Sequence, residues 1–173
     1  MKKSQIDPKP VYFERYIDTV DDVELAAAFE DSRRQLRSLD EKRLTALGDA
    51  VPAPGKWTIR EIFQHLIDWE RVLGYRALLY ARIDGAVAQD LDTALMAEGL
   101  AAGRRSVAAL IDELLLVRAS TAALFASFDE RMLMRRGTAW KYEISVLAVG
   151  FTIVGHQLHH LRIVEEQYYP LAR

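Results

Sequence analysis

"SVLAVGFTIVGHQLHHLRIVEEQY", residues Ser145 to Tyr168, is an apolar run at helical spacing that carries three of the chain's four histidines. Val149, Ile153, His156, His160 and Ile163 or Val164 follow at three- and four-residue steps, so His156 and His160 share the stripe that an amphipathic helix turns toward a core. Residues at i and i+4 lie one turn apart, about 5 to 6 Å between Cβ atoms, which lets both rings converge on a single ion. The two histidines of the H-E-x-x-H zinc motif use the same geometry. His159, at i+3 from His156, is the rival ligand, rotated toward the margin of the stripe. Ser145 begins this helix, and Pro170 stops it just after Tyr168.

The remaining histidine, His65, lies in "REIFQHLIDWERVLGYRALLYAR", where Ile62, His65 or Leu66, Trp69, Leu73 and Arg76 or Ala77 trace another inward stripe. Thr58 with Glu61 three residues on makes a capping box, Trp57 before it is placed to pack as a staple against Ile62, and Asp84-Gly85 ends the helix after Arg82. A first helix is expected from Asp21 or Asp22 to Leu39, with acidic residues in its first turn. "LGDAVPAPGKW" reads as a connecting loop. A third helical stretch from about Thr93 to Phe128 is broken around Gly99 and Gly103, with Ser106 capping the longer part. "DERMLMRRGTAWKYE" reads as a loop. Four long amphipathic helices bury their stripes against one another, so the expected fold is an all-α four-helix bundle, a single domain over residues 1–173.

Composition narrows the chemistry. At 173 residues the chain builds one full core. A net charge of −2, with near-balanced Lys+Arg and Asp+Glu, argues against nucleic acid as a partner. There is no cysteine, so disulfides, thiolate metal sites and a cysteine nucleophile are excluded, and any metal falls to His, Asp or Glu. "MKKSQIDPKP" leads into no apolar segment, and "ISVLAVGFTIVG" falls short of the ~18 residues of a membrane span; the expectation is a soluble cytoplasmic protein that engages no membrane.

Three inward imidazoles on two long helices are the makings of a three-His metal site: His65, His156 and His160 supply three nitrogens and leave coordination positions open. Zn²⁺, Ni²⁺ and Fe²⁺ all accept imidazole. Neutral ligands leave the ion's full charge to acidify a coordinated water or thiol, giving hydroxide for hydrolysis or thiolate for transfer. Asp68, one turn after His65, either orients that imidazole and accepts a proton, or pairs with Arg71 at i+3 on the helix surface. Glu70 points away from His65, has Gly74 at i+4, and reads as solvated surface or a dimer contact. Arg76, Tyr80 and Arg82 occupy the far half of the helix, where an arginine either binds a substrate carboxylate or is solvated or paired. "RRGTAWKYE" either covers the open face with Trp140 and Tyr142 or is a packing loop.

The pairing of "GKWTIREIFQHLIDWERVLGYRALLYARIDG" with "LAVGFTIVGHQLHHLRIVEEQYY" about ninety residues on resembles the DinB/YfiT-like superfamily of metal-dependent four-helix proteins. Its members carry K-W-[ST]-I-x-E at a helix start, H-L-x-D-x-E on the second helix and G-H-x-x-H-H on the fourth. The likeness extends from "YFERYID" at Tyr12–Asp18 to "EEQYY" near the end. It implies an up-down-down-up bundle, a homodimer, and a metal triad at His65, His156 and His160 rather than His159. Relatives with assigned activities include S-transferases and isomerases that use low-molecular-weight thiols. Ergothioneine-synthesising iron enzymes carry H-x-x-x-H-x-E in a related domain; Arg162 stands two after His160, so that chemistry is not supported. The resemblance leaves two readings: a metal-dependent enzyme acting on a small molecule, by thiol S-transfer or hydrolysis, or a non-catalytic bundle whose metal site is structural or binds a ligand.

Overall fold

The computed structural model describes residues 1–172. In chain order it contains α1 (Glu14–Ile17), α2 (Leu25–Arg37), α3 (Glu41–Ala46), α4 (Ile59–Arg82), β1 (Ala86–Val87), α5 (Thr93–Glu98), α6 (Val107–Ala126), α7 (Glu130–Met134), β2 (Arg136–Ala139), β3 (Tyr142–Ser145) and α8 (Val146–Ile163). A π turn, Val164–Tyr168, carries α8 onward toward Pro170.

The helix starts follow their caps. Thr58 accepts from the Glu61 amide while the Glu61 carboxylate accepts from the Thr58 amide, closing the capping box of α4. The hydroxyls of Ser106 and Ser145 accept the amides of Ala109 and Ala148, and α6 and α8 begin there. Trp57 packs on the apolar cluster that contains Ile62. The N-terminal start of the first helix and the loop after Phe128 differ from expectation. The first long helix starts at Leu25, because Asp22 accepts the Ser4 amide and Glu24 pairs with the N-terminal ammonium; these acids hold the N-terminal arm and do not form a helix turn. The segment read as a loop after Phe128 folds into α7 and a hairpin, with Arg136 opposite Ser145 and Ala139 opposite Tyr142, while β1 adds in parallel along β2. Strands of two to four residues are too short to show alternation.

Side-chain pairs fix the bundle's directions. Leu25 lies against Gly150 and Gln157 bonds to Ser32, so α2 and α8 run parallel. Gln64 meets Arg105 and Arg71 meets Glu113, so α4 and α6 run parallel. Trp57, before α4, accepts from Tyr168 beyond α8, and His65 meets His156, so these two helices oppose each other. Phe29 packs on Phe125 at 5.2 Å while Ser32 meets Arg118, which opposes α2 to α6. The result is a four-helix bundle of up-down-down-up order.

Its core falls into two apolar halves. One gathers Leu25, Phe29, Leu73, Tyr80, Phe125 and Val149; the other gathers Leu36, Phe63, Ile67, Leu110, Leu114 and Leu161. Between them lies a buried polar layer. Arg118 donates to both carboxylate oxygens of Glu70, at 2.8 and 2.9 Å, and to the Ser32 hydroxyl, while the Gln157 amide donates to the Ser32 carbonyl at 3.1 Å. These contacts tie α4, α6, α2 and α8 together. Glu70, 3% exposed, is thus a buried ion-pair partner and not the surface residue expected from its own helix, because its partner comes from another one. Among the described residues no helix is long and apolar enough to cross a membrane.

Candidate metal centre

The α4–α8 side of that polar layer holds the histidines. His156 and Gln157 are neighbours in sequence, so about 100° of helix rotation sends one toward α4 and the other toward α2. His65 enters from α4, and His160 from one turn after His156. The Nε2 atoms of His65 and His160 each lie 3.1 Å from Nε2 of His156. The three ligand atoms fall within 4.8 Å of one another.

Protons alone do not satisfy that arrangement. A neutral imidazole nitrogen either donates its one hydrogen or accepts at its one lone pair. His156 Nε2 therefore makes a full hydrogen bond to only one of its two neighbours, and no hydrogen or lone pair of its own is left for the other. An electron-pair acceptor placed among the three nitrogens satisfies them all. Two ligands each 2.0–2.1 Å from a tetrahedral ion sit about 3.3 Å apart, close to the separation observed here. Burial also keeps the rings in the ligating, unprotonated form. It pulls the pKa of His65 down to about 4 and that of His160 to about 3, the latter helped by the His65 charge. His156 is depressed by its own burial, then by the His160 and His65 charges.

Aromatic rings fix the imidazoles in place. Trp57 lies 4.5 Å from the His65 ring and 6.2 Å from His160. Tyr16 of α1 meets His156 edge-on at 5.1 Å. That approach depends on Gly155: a Cβ there would stand 2.0 Å from the Tyr16 carbonyl oxygen, so only glycine lets α1 cross α8 next to His156. Tyr16 was not legible in the sequence as part of the site; the one available signal was the glycine preceding His156.

A cavity of about 180 Å³ opens beside the triad, lined by His65 and His156 and walled chiefly by Tyr12, Tyr16, Trp69 and Trp140. Trp140 thus reaches the site, as one reading of its loop has it, while Tyr142 supports the wall by stacking on Tyr12 at 4.5 Å. The structure leaves His159 outside the converging group, edge-on to Tyr16 at 5.4 Å. Asp68 accepts from the Gln64 amide at 2.9 Å, Arg71 pairs with Glu113, and no hydrogen bond joins Asp68 to His65 among the described residues. Arg82 lies over Phe128, away from the cavity. Tyr80 is fully buried against Gly137, where a Cβ would stand 2.0 Å from its ring.

A helical bundle whose middle layer gathers three imidazoles beside an aromatic cavity defines the class of the molecule. The family model of the DinB superfamily matches residues 25–164, and the chain belongs to that superfamily. Among solved structures it is similar to YfiT from Bacillus subtilis, with 16% identity, a TM-score of 0.68, and coverage of 92% of this chain and 87% of that one. That protein is described as "a probable metal-dependent hydrolase with an unusual four-helix bundle topology". At this identity the likeness shows the fold. No curated protein matches the chain.

Proposed function

We propose that the chain is a metal-dependent enzyme acting on a small molecule, with His65, His156 and His160 holding one divalent ion, Zn²⁺ or Ni²⁺, with Fe²⁺ also compatible. The observation that carries this is the convergence of three Nε2 atoms, 3.1 Å apart in two pairs, at the edge of a cavity. Structural zinc is normally closed by four protein ligands, whereas three ligands beside a cavity leave room for a reactant. A divalent ion held there supplies Lewis-acid polarisation and lowers the pKa of an O–H or S–H group presented to it.

The chain's own residues do the rest. Burial holds the three imidazoles neutral and ready to ligate. Trp57 and Tyr16 pack against the rings and set their orientation. Tyr12, Tyr16, Trp69 and Trp140 wall the cavity with apolar surface, which excludes water and accepts an apolar substrate body. The described cavity lining contains rings, Leu73, two threonines and two imidazoles, and no carboxylate to serve as a base for water. That lining is compatible with transfer of a low-molecular-weight thiol, which a bound ion would acidify more strongly than water, the proton leaving to solvent. The description of YfiT supports hydrolysis as the second reading.

Elemental analysis of purified protein beside His65→Ala and His160→Ala variants tests the site. Near-stoichiometric metal in the wild type and its loss in both variants is the expected result; a wild type that takes up no divalent ion on reconstitution would overturn it. A panel of low-molecular-weight thiols with electrophilic acceptors then separates the reactions, since turnover independent of thiol assigns hydrolysis. A homodimer completes the proposal and is read by sedimentation. The exposed Tyr75, Leu78 and Leu116 on the outer faces of α4 and α6 are apolar surface such a dimer would cover.

A further inference from the structure

Among the described residues two arginines are almost completely buried, and they are satisfied differently. Arg118, 1% exposed, is fully engaged by Glu70 and Ser32. Arg76, 2% exposed, makes one long hydrogen bond, 3.3 Å from Nη2 to the Gln89 carbonyl, and its Nη1 has no partner. One turn further along α4, the buried hydroxyl of Tyr80 is also unpartnered. Arg76 forms no ion pair among the described residues. Asp90 is the acid that bears on it, and an Asp90 oxygen is already taken by the Trp140 amide. Buried polar groups are nearly always paired, and an unused donor on a buried cation calls for a ligand, a water or an ion.

Arg76 is not itself a lining residue of the cavity; it lies just behind the wall, one step past Leu73 on the side away from the histidines. It continues the stripe of His65, Trp69 and Leu73, all three of which line the cavity. Side chains on a helix tilt toward its N-terminus, so Arg76 leans back along that stripe. Its guanidinium lies 4.4 Å from the Trp140 ring centroid and 6.0 Å from that of Trp69, and both rings wall the cavity. Trp140 itself has φ of 53°, a left-handed conformation that bulky residues seldom adopt. Asp90 holds its amide and the Leu91 carbonyl accepts its indole N–H at 3.2 Å. The wall and the guanidinium are therefore positioned together. An apolar cavity of about 150 Å³ takes benzene; the 180 Å³ here suits one ring or a short chain.

We propose that Arg76 receives the carboxylate of the small molecule whose reacting end meets the three histidines, which makes the substrate a short aryl or alkyl carboxylate with its apolar body in the aromatic cavity. This rests on reading the cavity as the substrate site of the proposed enzyme. A planar carboxylate matches the guanidinium fork, and charge-assisted bonds of this kind are the strong ones. The cavity's aromatic walls hold the body between the two ends.

The test uses 3-phenylpropanoate and its neutral counterpart 3-phenylpropanamide. Each is titrated calorimetrically at pH 7 into wild-type protein and Arg76→Gln, with chelator and with one equivalent of Zn²⁺, and metal content is measured on the same samples. Chelated wild type is expected to bind the acid at least about tenfold tighter than the amide. Arg76→Gln brings that ratio to about one, chiefly by weakening binding of the acid. The proposal is overturned if chelated wild type shows no preference for the acid, if Arg76→Gln keeps the preference, or if neither probe binds. An acid preference that appears only with Zn²⁺ assigns the carboxylate to the ion and overturns it too. Should Arg76→Gln not fold, the wild-type ratio in chelator decides. Samples that never take up metal count against the enzyme proposed above, while the ratio in chelator still decides the role of Arg76.

Discussion

The ion pair of Glu70 with Arg118 and the cluster of His156 with its neighbours occupy the same middle layer of the bundle and are comparably buried, 3%, 1% and 8% exposed for Glu70, Arg118 and His156. They are satisfied on opposite principles. Where Arg118 of α6 meets Glu70 of α4 and Ser32 of α2, opposite charges meet in two parallel hydrogen bonds and a hydroxyl takes the remaining donor. On the α4–α8 side, three groups of one kind face each other and compete for the same protons. The first arrangement is complete within the protein. The second is left incomplete by the protein's own groups, and on the proposal above an electron-pair acceptor completes it; burial depth is the same in both, and complementarity of the groups is what differs.

The largest effect is expected at Glu70. Glu70→Ala removes one partner of a buried pair and leaves the Arg118 charge uncompensated, a loss of about 3–5 kcal/mol in stability. Urea unfolding measures it. Replacing both residues, as Glu70→Leu with Arg118→Met, removes the stranded charge and is expected to recover most of that loss. A double variant as unstable as the single one would show that the pair, and not the stranded charge, carries the effect. Metal content per folded molecule stays at the wild-type level in both.

Gly155→Ala comes next. Its Cβ meets the Tyr16 backbone, which yields less readily than a side chain, and overpacking of this kind costs about 1–3 kcal/mol. Moving α1 away also withdraws Tyr16 from His156, so metal affinity falls along with the melting temperature. A variant that melts early but binds metal as wild type does would separate the crossing of α1 from the histidine cluster.

Acid sharpens the contrast further. Burial lowers the folded-state pKa of His65 to about 4 and of His160 to about 3, against 6.5 for the unperturbed group. As pH falls the unfolded chain takes up protons first, so the chelated protein keeps this contribution above about pH 6.5 and loses it progressively toward pH 4. The loss is up to about 1.4 kcal/mol per pH unit for each histidine. His160→Leu, measured in chelator, has a shallower decline over the same window. Equal slopes in wild type and variant would mean that His160 is not held neutral by the fold.

Much of this was readable in the sequence because the signals were local. The capping box at Thr58, the serine caps at Ser106 and Ser145, and the stripe spacing of His65, His156 and His160 depend only on residues within a turn or two. What escaped depended on partners far away in the chain. Glu70 looked solvated because its own helix offers Gly74 at i+4, while Arg118 lies 48 positions on. Tyr16 reaches His156 through a crossing of helices that no spacing within either helix records. The hairpin was missed because its strands are too short to carry a period, and its turn residue Trp140 adopts a backbone conformation its side chain does not announce.

Asp68 gives the smallest expected effect and the finest division between the two sides of the layer. A carboxylate that orients a metal-binding histidine typically matters by 10- to 100-fold in metal affinity. The structure places the Asp68 carboxylate on Gln64, whose carbonyl in turn accepts from Arg105, so that Asp68 belongs to the α4–α6 seam and not to the histidine cluster. Asp68→Asn keeps the shape and still accepts from Gln64, and a half-exposed change of this kind shifts stability by no more than about 0.5 kcal/mol. Competition titration with a chromogenic chelator is then expected to give a Zn²⁺ affinity within about twofold of wild type. A tenfold loss instead would mean that the carboxylate leaves Gln64 to orient His65 once the ion is bound, so that Asp68 belongs to the histidine cluster and the seam begins one helical turn further from it.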